Sequence, residues 1–401
     1  MDRYDRLYTL YEEVEVGKLR DHQEFVDLFP PVDSQVALSH WEEASEELAR
    51  RKREIQTRYR DGETLADVAA HATREQAFAA LDLYTTYDRA VNVLVLDIDE
   101  TLRSAGTTDN EIPRETLHLL TEFHERGVPI VVCTGQTLEN VKGFTIQGLG
   151  NAIVHSGTVS IVYEAGSGVF TPGHGGDTKQ LLYEDLDETV QEAFATVRSR
   201  VLSDAPERIR RGCHLQGNEF NVTLKPNYET GSDDAVAVID EALGYLLDLL
   251  GETAPDATPA MARAHYAAED PEIEAALDEV PEAEVSDAAE TFFERVEVAY
   301  YEGDAAEMAS RELHKANGVE AALDVLGVED PFALVMGDSK SDLRVMEWAE
   351  EHDAGIAAAP DHSSPGVLDH VRSTDDLVFD QGDAVDVLRT VYALNALADA
   401  E

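Results

Sequence analysis

The sequence predicts an α/β protein. A parallel sheet is covered by helices on both faces, interrupted by an inserted α+β domain and preceded by a helical extension. Three observations predict this. Short, fully apolar runs alternate with helical segments after residue 91, the pattern of strands buried on both faces. Between about residues 161 and 311 the texture changes to short alternating strands and two long helices. Before residue 91 only helical periodicity is present.

Taken in order, residues 1–90 read as helices. "DSQVALSHWEEASEELARRKREIQTRYRDG" opens on a capping Asp33 or Ser34 and stops at Gly62, with Leu38, Trp41, Leu48 and Ile55 on one stripe. A further helix spans Thr73 to Tyr87. "VNVLVLD" is the first strand, and a helix from Arg114 to Arg126 closes at Gly127. "VPIVVCTG" and "NAIVHSG" read as the second and third strands. "ALVMGDS" is the fourth, followed by the helix "SDLRVMEWAEEH" and the strand "AGIAAA". The core is therefore expected at 91–160 and 312–401, with the insertion at 161–311. Inside the insertion, "NEFNVTLKP" and "ERVEVAYY" alternate as strands, and long helices lie near Asp185–Leu202 and Asp233–Leu250. Residues 252–289, rich in Ala, Pro, Glu and Asp, are expected to be a mobile or loosely packed insert.

The chain of 401 residues is long enough for two or three domains. Its formal net charge of −51, from 82 acids against 31 lysines and arginines, resembles that of proteins from salt-accumulating halophiles. In molar salt the Debye length is about 3 Å, so such a surface repels itself little. The charge sign disfavours binding to nucleic acid or an anionic membrane. Two cysteines, Cys133 and Cys213, give no disulfide framework. The first residues contain no continuous apolar segment and no run approaches a membrane span, so a cytoplasmic protein is expected. "ARRKREIQTRYR" (49–60) is a basic island, read as arginines paired with nearby acids rather than as an RNA or nucleotide site. "TPGHGGDTK" reads as a loop of the inserted domain, and His155 stands near the expected site.

Ligands of parallel α/β sheets sit at the carboxyl ends of the strands. The first strand ends in "DIDET", the second in "TG" and the fourth in "GDSKSD", while Lys315 opens the helix before the fourth. Asp97 at a strand tip suits an oxygen nucleophile. Asp99 suits a proton donor to a leaving oxygen and a base for water. A cluster of carboxylates needs a cation, and Mg²⁺ accepts a few carboxylates beside waters and phosphate; Asp338 and Asp342 supply more such oxygens. Thr134 and the Gly135 N–H can donate to phosphate oxygens, and Lys315 adds positive charge. Each feature alone has an ordinary reading: a solvated acidic pair, a turn, a surface lysine, a helix cap. Their order and their placement directly after apolar strands are what point to one site.

In that order, "DIDET", "TG", Lys315 and "GDSKSD" resemble the four motifs of the haloacid dehalogenase (HAD) superfamily of phosphohydrolases. The resemblance covers roughly residues 91–160 and 312–401. It implies a Rossmann-like core, and the long insertion resembles a C2-type cap of the Cof-like and sucrose-phosphate phosphatase subgroup. By this resemblance Asp97 is the nucleophile and Asp99 the acid/base. Thr134, Gly135 and Lys315 bind the phosphoryl group. Mg²⁺ is held by Asp97, the backbone carbonyl of Asp99 and Asp338, with Asp342 orienting metal-bound water. The presence of Asp99 separates phosphatase or phosphomutase chemistry from dehalogenation. Three positions depart from the subgroup: Gln136 where "TGR" is common, Ser341 where Asn is common, and Ser156-Gly157-Thr158 where "NGA" is common. The implied function is a Mg²⁺-dependent phosphatase acting on a small phosphorylated metabolite; the resemblance implies a sugar phosphate, and small phosphorylated acids stay open. A phosphomutase on hexose phosphates and a regulatory protein using residues 1–90 to bind a partner remain open. Asn218, Asn221 and Lys225 are candidates for substrate contact in the insertion. Glu100 receives no role.

Overall fold

The apolar run at Val91 forms strand β1 (Val93–Asp97), buried at every position in this computed structural model. The structure describes residues 3–29, 34–103, 112–218 and 220–399. The next strands are β2 (Ile130–Cys133), β3 (Val159–Tyr163), β4 (Gly168–Phe170), β5 (Lys179–Leu181), β6 (Cys213–Gln216) and β7 (Asn221–Pro226). They are followed by β8 (Val296–Tyr301), β9 (Ala305–Ser310), β10 (Ala333–Met336), β11 (Gly355–Pro360) and β12 (Leu377–Phe379). The chain divides into two units, one of residues 1–162, 170–179 and 319–401, the other of 163–169 and 180–318. The N-terminal helices thus pack with the sheet core rather than as a region of their own.

In the larger unit, β12, β11, β10, β1, β2 and β3 lie side by side in that order, every neighbouring pair parallel. The chain moves from β1 outward to β3 on one side, then restarts beside β1 with β10. That reversal of strand order is where parallel sheets place ligands. The third strand is not "NAIVHSG". Gly150, at φ +85°, ends the preceding helix, and Asn151–Val154 form one helical turn of which only Val154 is buried. The strand comes later, at the fully buried "VSIVY", because that run has enough consecutive apolar residues to pair with β2. His155 and Ser156–Thr158 consequently precede β3, at its amino end.

Ser34 caps the helix Gln35–Arg58 by accepting from the Ala37 N–H at 3.4 Å; Asp33 lies outside the described residues. This helix ends at Tyr59, and Gly62 starts the next one instead. A side chain at Gly62 would strike the Gln56 carbonyl at 2.5 Å. Of the expected stripe, Leu48 and Ile55 are buried, Trp41 is half-buried and Leu38 is exposed. The basic island is paired: Arg50 with Glu47 and Glu54, Arg51 with Glu47, Arg58 with Glu13. Thr73 and Gln76 form a reciprocal capping box on the helix Arg74–Tyr87. That helix packs on Ala384–Ala398, whose residues are buried on nearly every side, and Gln76 donates to Asp386 at 2.9 Å.

A charged node joins these helices to the core. Asp67 meets Arg126 at 2.7 Å, Lys52 at 3.8 Å and the Tyr392 hydroxyl at 3.1 Å. Its carboxyl is held well below the usual range: burial pushes it up, but His71 and Arg126 outweigh burial. A second contact sets Asp27 3.3 Å from His118 on the helix Arg114–Glu125. The bond to Asp27 raises the His118 pKa against the opposing effect of burial.

In the smaller unit, β6, β7, β9 and β8 form an antiparallel sheet. Val222, Leu224, Met308 and Val298 face a core shared with the helices Glu188–Arg200 and Ser232–Thr253. Residues 252–289 are packed over much of their length rather than loose, the stretch 278–286 having no helix or strand. They contain the helices Pro259–Glu269 and Pro271–Ala276 and the start of Asp287–Phe293. Tyr266, Ile273 and Phe293 are buried, and the Tyr266 hydroxyl donates to the Val296 carbonyl at 2.9 Å. The acids sit between apolar residues at helical spacing, with Thr258, Asp270 and Ser286 as caps. Composition concealed that periodicity. The segment "TPGHGGDTK" belongs to the larger unit, not the inserted domain, and there His174 bonds the Gly157 carbonyl at 2.8 Å.

Two predictions follow from the helical extension. A chain starting at Val91 uncovers Ala384–Ala398 and is expected to lose its near-UV circular dichroism and cooperative melting. Because the folded pKa of His118 is raised, its stabilisation is complete below about pH 6.5 and is lost as pH rises through the folded pKa. His118→Asn should therefore lower Tm more at pH 5.5 than at pH 8.5, by an energy of about 1 kcal/mol for this partly exposed pair.

Candidate active site

The carboxyl ends of β10, β1 and β2 meet at one edge of the parallel sheet. Leu96 stands opposite Met336, and Asp97 opposite Cys133. Gly337–Asp338 and Thr134 therefore flank Asp97. Asp97, Asp338 and Asp342 each offer a carboxylate oxygen, and these oxygens lie within 4.8 Å of one another. Asp97 and Asp342 are buried, and Asp338 is half-buried.

Asp342 reaches the cluster from the first turn of the helix Lys340–Glu351. Its Oδ2 accepts from the Ser339 N–H at 3.0 Å and the Ser339 hydroxyl at 2.6 Å. Asp342 thus belongs both to the helix cap and to the acid cluster. Gly337 makes the approach possible, since a Cβ there would lie 2.3 Å from the Asp342 Cβ and 2.4 Å from its Cγ. Three neighbouring carboxylates form an all-oxygen donor set that fits a hard divalent cation such as Mg²⁺, whose charge would offset their repulsion.

Thr134 is buried at the end of β2, where its N–H donates to the Val162 carbonyl at 2.9 Å. Its Oγ1 accepts from the Gln136 N–H at 3.1 Å, leaving the hydroxyl proton available to donate. Gly135 is exposed, and a Cβ there would meet nothing within 4 Å. Its small size is therefore not required by packing.

Asp99 has two partners that the sequence did not reveal. Arg103 donates to Oδ1 through Nε at 3.0 Å and through a terminal nitrogen at 2.6 Å. Gln136 donates to Oδ2 at 2.6 Å. A turn brings Arg103 there, as the N–H groups of Leu102 and Arg103 both donate to the Ile98 carbonyl at 3.1 Å. The available signals were an arginine within an acidic stretch and the glutamine that departs from "TGR". Glu100 is not merely a surface acid. It adopts φ +60° and accepts from Gln381 at 3.3 Å, with His362 at 3.6 Å. His362 and Gln381 follow β11 and β12, so they too stand at strand ends.

Lys315 is buried at the start of the helix Lys315–Leu326 and is grouped by its packing with the smaller unit. His155 is exposed at the amino end of β3, the opposite end from the carboxylates. Asn218 lies between β6 and β7 rather than in the sheet; its side chain bonds the Glu164 carbonyl at 2.7 Å. Asn221 donates to Glu307 at 2.7 Å, and Lys225 is 3.5 Å from Asp304.

No protein-family description matches the chain, and no curated protein matches it. Solved structures with a similar course include the sucrose-phosphatase of Synechocystis, in complex with sucrose and phosphate. It is 14% identical, with a TM-score of 0.44, over 77% of this chain and 99% of that one. A Bacteroides thetaiotaomicron protein described among phosphatases of the HAD superfamily is 16% identical, with a TM-score of 0.42, over 77% and 96%. A Thermotoga maritima protein is 14% identical, with a TM-score of 0.44, over 75% and 97%. Overlaps this loose assign no role to any residue. Among the described residues, no helix is long and apolar enough to cross a membrane.

If the three carboxylates hold a cation, Mg²⁺ should raise the Tm of the wild type. Gly337→Ala, which displaces Asp342, is expected to weaken Mg²⁺ binding by about 10- to 100-fold, measured by calorimetric titration.

Proposed function

We propose that this chain is a Mg²⁺-dependent phosphatase of the HAD type, acting on a small phosphorylated metabolite, with sugar phosphates the leading class. The observation that carries the reading is the cluster of Asp97, Asp338 and Asp342 at the tip of the central parallel strand. Asp97, Asp338 and Asp342, with the Asp99 backbone carbonyl, would hold the cation. Bound there, Mg²⁺ would neutralise the acids and draw phosphate charge toward Asp97.

An Asp97 oxygen forms a bond to phosphorus as the phosphorus–ester oxygen bond breaks. Asp99 gives its proton to the departing alcohol oxygen. Water then attacks the aspartyl-phosphate, yielding a proton to Asp99 as the bond between phosphorus and Asp97 breaks. Thr134 and the Gly135 N–H donate to the phosphate oxygens, and Lys315 supplies positive charge. A carboxylate has about four lone-pair sites. Arg103 occupies two on Oδ1 and Gln136 one on Oδ2, which orients Asp99 and leaves a site on Oδ2 for the proton it exchanges.

The acidic composition suits a salt-rich cytoplasm, so the test belongs in concentrated KCl. Free phosphate release should be measured from p-nitrophenyl phosphate and a panel of phosphorylated metabolites. Asp97→Asn is expected to lower turnover by more than about a thousandfold. Asp99→Asn should cost about 10²- to 10⁴-fold. Chelation should abolish activity and added Mg²⁺ should restore it. Turnover indifferent to chelation or to Asp97→Asn would overturn the mechanism.

A further inference from the structure

We infer that Gly166 and Asn218 are positioning residues for Lys315, setting where its helix begins. The inference rests on the proposed phosphate-binding role of Lys315. Every contact that supports it lies within the smaller unit.

Directly after β3 the backbone turns through Glu164, Ala165 and Gly166 at φ +49°, +56° and +99°. The first two are unusual for residues with side chains, and each costs of order 1 kcal/mol or more unless the surroundings impose it. What the turn achieves is a close approach. A Cβ on Gly166 would lie 2.1 Å from the His314 carbonyl oxygen and 3.0 Å from the Lys315 nitrogen. Gly166 is therefore required twice, for its φ and for the space.

The backbone it touches is the start of the lysine's helix. The His314 carbonyl accepts from the Gly318 N–H at 3.3 Å, and its ring Nδ1 accepts from the Asn317 N–H at 3.4 Å. Moving His314 moves the first turn of the helix and the Cα of Lys315 with it. A buried lysine has a long, flexible side chain, so the position of its Cα determines where the ammonium can reach.

Asn218 holds the turn from the other side. Its Nδ2 donates to the Glu164 carbonyl at 2.7 Å and the Ser167 hydroxyl oxygen at 3.0 Å. Its Oδ1 accepts from the Phe220 N–H at 2.8 Å, and its backbone carbonyl accepts from Arg198. The side chain is thus fully engaged in fixing the turn, a different role from the substrate contact expected of it. The resulting chain of contacts runs from the β6–β7 connection through Asn218, the Glu164–Ser167 turn and Gly166 to His314 and Lys315.

The test is a double-mutant cycle on the full chain with Mg²⁺ in concentrated KCl. The readouts are kcat/KM and competitive inhibition by inorganic phosphate. Asn218→Asp keeps the acceptor for Phe220 and removes both donors, while Gly166→Ala adds the clashing Cβ. Each is expected to lower kcat/KM by about tenfold or more, with phosphate inhibition weakened in parallel, because small misplacements of a charged group are costly. In a Lys315→Met background the same changes should produce little further loss, since their effect passes through Lys315. An equal loss in that background would mark a general structural defect and overturn the inference. So would wild-type phosphate inhibition in Asn218→Asp, which also carries the test if Gly166→Ala does not fold. Turnover surviving in Asp97→Asn would instead reject the phosphatase reading.

Discussion

Mutual repulsion of carboxylates is the constraint on which the larger unit's site depends. Oxygens of Asp97, Asp338 and Asp342 lie within 4.8 Å of one another, where two full charges repel by roughly 3–4 kcal/mol at an effective dielectric of about 20. Such a cluster persists only if the backbone dictates it. Here β1 and β10 fix Asp97 and Asp338 by their register, and Gly337 with Ser339 draws Asp342 in from a helix. On the proposed reading, a bound cation would relieve the same repulsion.

Around this cluster the fold uses the strand ends consistently. Thr134 follows β2, Asp338 follows β10, and His362 and Gln381 follow β11 and β12. Asp99 departs from the cluster, its carboxylate turned to Arg103 and Gln136 instead. Two acids separated by one residue therefore have different surroundings, in keeping with the separate roles proposed for them. The N-terminal helices contribute indirectly, covering the buried helix Ala384–Ala398 and closing the core behind the sheet.

Much of the fold was legible because buried parallel strands have a clear signature. The strands Val93–Asp97, Ile130–Cys133 and Ala333–Met336 are apolar throughout except for the terminal Asp97, and each is buried at every position. The signature failed where apolar residues were few or dispersed. "NAIVHSG" resembles a strand end, but one buried valine cannot sustain it, and the turn after Gly150 is helical. In residues 252–289 the count of acids and prolines suggested loose packing, while Tyr266 and Ile273, on two successive short helices, are buried in the smaller unit's core.

By itself the sequence determined which acids end apolar strands, since strand periodicity and chain order are local properties. It therefore identified Asp97, Asp99, Thr134 and Asp338 as groups at the sheet's carboxyl edge. Tertiary structure decided what surrounds them. The pairing of Asp99 with Gln136, the approach of Asp342 over Gly337, and the contact of Gly166 with His314 depend on backbones meeting in space. No periodicity encodes such meetings, because they are set by the register of strands and by turns whose φ angles only the folded chain imposes.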